Sequence, residues 1–260
     1  MEYNPKVIKT TLLLAASIVF LMGIVHAYNE IFDLQLYQFG IFPRTASGLI
    51  GILTGPFIHS TESYSHLFNN SIPTFVLTWL LFYNFRNIAP KVFMSIFLGT
   101  GVLVWLFARQ NYHIGMSGVI YGLTSFLMLG GFLTKHLRVA AISLLVIFLY
   151  GSLIWGIFPI DPQISFEGHF SGFFAGALLA ILYRKKLPQP DKFYYEIEEE
   201  LGFTEYEDEY WKTDGLQQEG IVKQPIQTST DPFQVIYHYK STDNSEKKTT
   251  NQEDKKITGE

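Results

Sequence analysis

Six apolar stretches, each close to the length of a membrane crossing, constrain this chain more than any other feature. They are Thr11–Tyr28, His66–Tyr83, Val92–Ala108, Gly115–Leu133, Val139–Ile157 and His169–Tyr183. An α-helix rises about 1.5 Å per residue, so roughly 20 residues cross about 30 Å of hydrocarbon. The expected fold is therefore an all-α membrane protein, with a six-helix transmembrane domain over residues 1–186. The first stretch follows Lys6 and Lys9, as a secretory signal would. It is long for a signal, lacks a small-residue cleavage site and is followed by further spans, so it reads as a span. Ala46–Ile58 is also apolar, but it is short and broken by Gly48, Gly51, Gly55 and Pro56. It reads as an interfacial loop or a re-entrant segment.

Charge divides the chain and orients it. Residues 1–186 carry 11 Lys and Arg against 6 Asp and Glu, whereas residues 187–260 carry 8 against 17. Within the first part the cations lie at alternate loops. Lys6 and Lys9 precede span one, Arg86 and Lys91 follow span two, Lys135 and Arg138 follow span four, and Arg184, Lys185 and Lys186 follow span six. The other connections hold only Arg44 and Arg109. Cytoplasmic loops collect Lys and Arg, so both termini are expected in the cytoplasm. Spans two, four and six then start at the outer face. Their first turns bring His66 and Asn70, Ser117, and His169 to one depth, with Asn70 about 6 Å below His66.

A serine among small residues at a helix start, as in Gly115-Met116-Ser117-Gly118, is commonly a packing feature. At this position it has another use. The first N–H groups of a helix lack internal partners, so Ser117 carries part of an oxyanion hole with it. The short pattern is similar to the nucleophile elbow of soluble hydrolases, but that needs a preceding strand, and none is visible. His169 is the histidine of span six; within hydrocarbon it needs a partner, and when neutral it can accept a serine proton. Gly168, Gly172 and Gly176 recur every four residues and allow close approach of another helix; span four answers with Ser117, Gly118 and Gly122. Spans four and six are thus expected to pack closely enough to join Ser117 to His169. No carboxylate lies within either span, and Glu167 is expected to point to water, so the pattern predicts a Ser-His dyad. Tyr121, one turn below Ser117, either packs on the imidazole or is a plain core residue. His66 and Asn70, on one face of span two, offer donors for an oxyanion, with Asn69 near that face; simple interhelical contact is the alternative. The metalloprotease spacing His-Glu-x-x-His is absent, so no metal is expected, and no other cofactor. With no cysteine, thiol chemistry and disulfides are excluded. His26, His113 and His136 sit near span ends and are expected to be solvated.

Three pieces together resemble the rhomboid family of intramembrane serine proteases: His66-Leu67-Phe68-Asn69-Asn70, Gly115-Met116-Ser117-Gly118-Val119-Ile120-Tyr121-Gly122, and Gly168-His169-Phe170-Ser171-Gly172 with Gly176. Their order and spacing match over roughly residues 8–186. The resemblance implies a six-helix rhomboid-like bundle. It also implies Ser117 as nucleophile, His169 as base, His66 and Asn70 in the oxyanion hole, and Tyr121 beneath the serine. It implies hydrolysis of peptide bonds in transmembrane protein substrates, at small residues in helices that unwind easily. Inactive relatives typically lack the serine or histidine, and this chain keeps both. Two departures stand out. Many members carry a Trp-Arg pair in the first outer loop, where this chain has Phe42-Pro43-Arg44, so that loop is expected to be anchored differently. Members often have a histidine five residues before the span-two histidine; His59 lies seven before His66 and is given no role.

The acidic tail, residues 187–260, is expected to be cytoplasmic and largely disordered. Phe193, Tyr194 and Tyr195 suit the inner interface, and Phe233–Tyr239 reads as a short strand or a segment that docks a cytoplasmic partner. Two rival functions remain: a catalytically silent binder or escort of membrane proteins, and a transporter. A transporter would place charges or paired broken helices at mid-membrane, which the spans lack.

Overall fold

The computed structural model describes residues 4–62, 64–134, 136–160, 164–188, 196–197 and 200. The chain divides into Met1–Gly202 and Phe203–Glu260, and the described residues all belong to the first unit. The expectations for Phe193–Tyr195, for Phe233–Tyr239 and for disorder of the tail fall outside them.

Among the described residues every element is helical, apart from one backbone bridge between Ile41 and His113. Helix α1 spans Pro5–Phe32; Pro5 suits its first turn, and Asn4 Oδ1 accepts the Lys6 and Val7 N–H groups at 3.1 and 3.4 Å. A one-turn helix, α2, spans Gly51–Thr54 between 3₁₀ turns at Ser47–Leu49 and Gly55–Phe57. Helices α3 (Tyr64–Asn84), α4 (Ala89–Phe107), α5 (Ser117–Leu133), α6 (Leu137–Tyr150) and α7 (Phe166–Tyr183) follow. A 3₁₀ segment, Gly151–Ile157, prolongs α6, and another, Arg184–Lys186, ends α7.

Four helical stretches are long and apolar enough to cross a membrane: Pro5–Phe32, Ala89–Phe107, Leu137–Ile157 and Phe166–Lys186. Helix α5 is apolar but has 17 residues. Helix α3 has 21 residues and bears polar ones along its length, including Asn70, Thr74, Thr78 and Asn84 on its buried side. The six-span expectation thus meets four stretches that qualify by length and composition. The other two stretches are helices that trade length or apolarity for position.

That position is central. Helix α5 packs against α3, α4, α6 and α7, and every residue from Gly118 to Leu127 is buried. A helix apolar on all sides suits the middle of a bundle. Ser125 Oγ donates to the Phe173 carbonyl at 2.8 Å, tying α5 to α7, and Ser143 Oγ donates to the Leu127 carbonyl at 2.6 Å, tying α6 to α5. Outer apolar side chains such as Phe20, Phe107, Leu137 and Phe148 stay exposed. Water would penalise such a surface, and a bilayer does not.

The segment between α1 and α3 is anchored by a substitute for the missing pair. Arg44, with φ of 58°, turns back so that its Nη1 donates to the Ala108 carbonyl at 2.7 Å and to the Leu106 carbonyl at 3.3 Å. The last carbonyls of a helix lack internal partners and favour a cation, so Arg44 closes the end of α4. Trp105, on α4 itself, donates its Nε1–H to the Thr45 carbonyl at 2.8 Å.

Candidate active site

Ser117 is the first residue of α5, and Met116 at the N-cap supplies no side-chain acceptor. Gly115 makes the turn into the helix with φ of 101°, a conformation that favours glycine. Its N–H is held by the Gly55 carbonyl at 2.9 Å, and Ile41 pairs with His113 through two backbone bonds of 3.0 and 2.9 Å. The loop that presents Ser117 is therefore fixed by the segment between α1 and α3.

His169 lies in the first turn of α7 and is buried. Its Nε2 is 2.9 Å from Ser117 Oγ, and its Nδ1 is 2.9 Å from the Gly156 carbonyl oxygen. Tyr121 stacks on the ring, with centroids 4.2 Å apart and planes 8° from parallel. Of the two readings of Tyr121, packing on the imidazole is the one observed.

The helices that carry these residues touch backbone to backbone. A Cβ added at Gly172 would stand 1.8 Å from the Gly118 carbonyl oxygen, and one at Gly176 would stand 1.9 Å from that of Gly122. Gly168 differs from the expected stripe: a Cβ there would meet Ser165 Oγ, not α5.

His66 approaches from α3. Its Nε2 is 2.9 Å from where a Gly115 Cβ would stand, so the absence of a side chain there admits the ring. The Ser60 N–H points at its Nδ1 over 3.5 Å. An accepting Nδ1 leaves the proton on Nε2, which makes the edge nearest Gly115 a donor. Asn70 is buried, but its Nδ2 donates to the His66 carbonyl at 2.8 Å, and its Oδ1 has no protein partner. One Nδ2 hydrogen remains. Asn69 is exposed.

Three expectations change, for His26, His113 and Glu167, and His59 takes an unforeseen place. His59, given no role, is buried edge-on against His66 with centroids 5.1 Å apart. Burial pushes its pKa down to about 3, and the neighbouring His66 adds to the fall. His26 and His113 are buried, not solvated; only His136, half-buried, matches the expected setting, and it caps α6 by accepting the Arg138 N–H at 3.2 Å. Burial also lowers His113, so His59 and His113 are both neutral at physiological pH. Glu167 does not point to water: its Oε1 is 3.3 Å from Arg109 Nε.

His113 and Ser165 form a clasp that the sequence reading missed. His113 Nε2 lies 3.0 Å from the Arg109 carbonyl, which can only accept, so Nε2 carries the proton. Nδ1 then accepts the Ser165 hydroxyl at 2.6 Å, and Ser165 Oγ accepts the Gly168 N–H at 3.2 Å as N-cap of α7. Arg109 also donates to the Ile164 carbonyl at 2.7 Å. The loops before α5 and α7 are thus joined immediately beside Ser117 and His169. Ser165 was findable as a serine preceding a helix; its link to His113, 52 residues away, was not.

A cavity of about 40 Å³ opens beside Ser117, among Thr100, His113, Gly115 and Ser165. About 10–15 Å³ of such space is enough to hold a water molecule, so water fits there. Among the described residues no group of His, Asp or Glu side chains has the geometry to hold a metal ion. The arrangement can do nucleophilic chemistry: a hydroxyl within hydrogen-bond reach of an imidazole, helix N–H groups beside it, and space for water.

The family described as "Rhomboid domain" matches residues 46–186, more than half of the chain. An uncharacterized protein of Mycobacterium tuberculosis (strain H37Rv) is 29% identical over 184 residues, covering 66% of this chain and 74% of its own length. An uncharacterized protein of Mycobacterium leprae is 27% identical over 171 residues, covering 62% and 67%.

Proposed function

The chain belongs to the rhomboid family, and from that premise we propose that it is an intramembrane serine endopeptidase acting on transmembrane proteins near the outer face of the bilayer. The observation that carries this reading is the 2.9 Å contact between Ser117 Oγ and His169 Nε2 at the start of an apolar helix. Six helices, α1 and α3–α7, would span the membrane, with both termini in the cytoplasm of a cell-membrane protein. Residues 1–186 would be the membrane domain.

In the first step Ser117 Oγ attacks the scissile carbonyl carbon and its proton passes to His169 Nε2. The oxyanion is held by the Ser117 N–H, with His66 Nε2–H and the remaining Asn70 amide hydrogen as further donors. His169 returns the proton to the leaving amine, which departs as the C–N bond breaks. Water then attacks the acyl-enzyme, His169 takes its proton, and the acid leaves as Ser117 regains its hydroxyl. Gly115 admits His66, Gly118 and Gly172 bring α5 and α7 together, and Tyr121 steadies the imidazole. A substrate helix hides its carbonyls in hydrogen bonds, so Gly- or Pro-weakened segments would be preferred.

A fluorophosphonate probe tests this directly. The wild-type protein should label at Ser117 and cleave a membrane-anchored substrate. Neither labelling nor cleavage by correctly inserted protein would make it the silent binder instead. His66→Ala and Asn70→Ala should each lower kcat by about 10²–10³, the typical worth of one oxyanion donor, and leave slow labelling. Full activity in both variants and in the double variant would show that these residues only pack.

A further inference from the structure

The proton on the His169 ring is placed by an element that carries no acidic residue. Nδ1 faces the Gly156 carbonyl oxygen at 2.9 Å, and a carbonyl can only accept. Nδ1 must therefore hold the ring proton. In a neutral imidazole the other nitrogen is then a bare lone pair, and that lone pair faces the Ser117 hydroxyl at 2.9 Å. A carboxylate does this work in a serine-histidine-aspartate triad, where it selects the tautomer and steadies the ring. Neither ring contact of His169 is to a carboxylate.

We propose that Gly156 is a positioning residue for the Ser117–His169 pair, its backbone carbonyl standing where a triad has an acid. The catalytic part of this statement rests on the protease reading; the placement of the ring proton does not. Glycine is required by space. A Cβ at position 156 would stand 1.9 Å from Tyr121 Oη and 3.1 Å from His169 Nδ1. The imidazole is thus clamped on its face by Tyr121 and on its edge by Gly156. A side chain at 156 would push the two clamps apart.

The carbonyl belongs to the 3₁₀ segment Gly151–Ile157 at the end of α6, which packs against α7. This segment is peripheral: Trp155 and Phe148 are exposed on its outer side and on α6. The 3₁₀ form also matters locally, because the last carbonyls of a helix lack internal partners and Gly156 O is among those left over. His169 is therefore correctly set only while the end of α6 is docked on α7. Undocking would free Nδ1 and leave the ring one partner short.

The test begins with ¹⁵N-histidine NMR of the full chain in bicelles, with the His169 signals identified by their loss in His169→Ala. The expected result is a protonated Nδ1 and a bare Nε2. A protonated Nε2 overturns the proposal whether or not the protein cleaves anything. If the wild type shows the expected tautomer yet never labels with a serine probe, the protease reading fails and the placement of the proton stands. Kinetics supply the second arm. Gly156→Ala should insert normally and lose about 10²-fold in kcat with KM little changed, the cost of about 1 Å of misplacement. Adding Tyr121→Phe removes the hydroxyl that the new Cβ strikes, and should return about tenfold. An ester in place of the Gly156–Ile157 amide adds no atoms near the ring and weakens the carbonyl as an acceptor. It should lower kcat by up to about tenfold, the worth of one hydrogen bond. Wild-type kcat in Gly156→Ala, or an equal fall with the ester moved to Trp155–Gly156, overturns the proposal.

Discussion

Ser117→Ala and His169→Ala should each abolish cleavage of a membrane-anchored substrate while the protein still inserts. Both remove one side of the 2.9 Å contact on which the proposed chemistry rests. Ser117→Ala deletes the attacking oxygen. His169→Ala leaves that oxygen in place and removes the imidazole nitrogen that would take its proton. In a soluble serine protease, loss of either partner costs about 10⁶ in kcat, and losing both costs little more because they act as a unit. The same non-additivity is expected here: the double variant should be no slower than either single one. Ser117 is only half-buried, so its truncation should leave stability near that of the wild type. His169 is buried against Tyr121, so its truncation needs a check of insertion and thermal stability alongside the assay. Near-normal turnover by either purified variant would end the dyad assignment, and so would probe labelling of Ser117→Ala at an undiminished rate.

Gly172→Val should be almost as damaging, although position 172 would touch no substrate. The Cβ would stand 1.8 Å from the Gly118 carbonyl oxygen and 2.7 Å from its carbon, and both belong to backbone. No rotamer relieves such a contact, so α7 must move away from α5. Carbon and oxygen need more than 3 Å between them, which implies a shift above about 1 Å. A displacement of that size costs roughly 10²-fold. Here it also breaks the Ser117–His169 hydrogen bond, so a loss beyond about 10³-fold in kcat is expected, bounded by the roughly 10⁶ of a missing base. Labelling and cleavage should fall together while topology is unchanged. Leu178→Val and Ile181→Val, on exposed positions of the same helix, should have little effect. A correctly inserted Gly172→Val protein with full activity would show that the α5–α7 contact does not hold the pair together.

The sequence alone specified the helical elements and the neighbours Ser117 and His169, because the signals are local and periodic. Hydropathy sums over consecutive residues, and glycines every four residues fall on one helical face whatever surrounds them. The contacts made at Gly172 and Gly176 follow from that period. Polar composition, in contrast, hid which way Thr74 and Thr78 of α3 face: they lower its mean apolarity, and only packing shows that they are buried in the bundle.

Tertiary structure decided the rest, and each case concerns a group that leaves no side-chain pattern. Gly156 acts through a carbonyl that every residue possesses, so nothing at position 156 announces it. Arg44 closes α4 only because a left-handed turn aims it at carbonyls 62 and 64 residues away. His26 and His113 lie near span ends, where sequence suggests water, yet both are buried, His26 against Tyr64 of α3 and His113 against Ser165. Asn70 spends one amide hydrogen on its own helix, which composition could not foretell. A helix is fixed by bonds between residues four apart, so its signal is contained in a short window. The path of a loop is fixed by whichever distant backbone groups it can satisfy, and no window of sequence contains both partners.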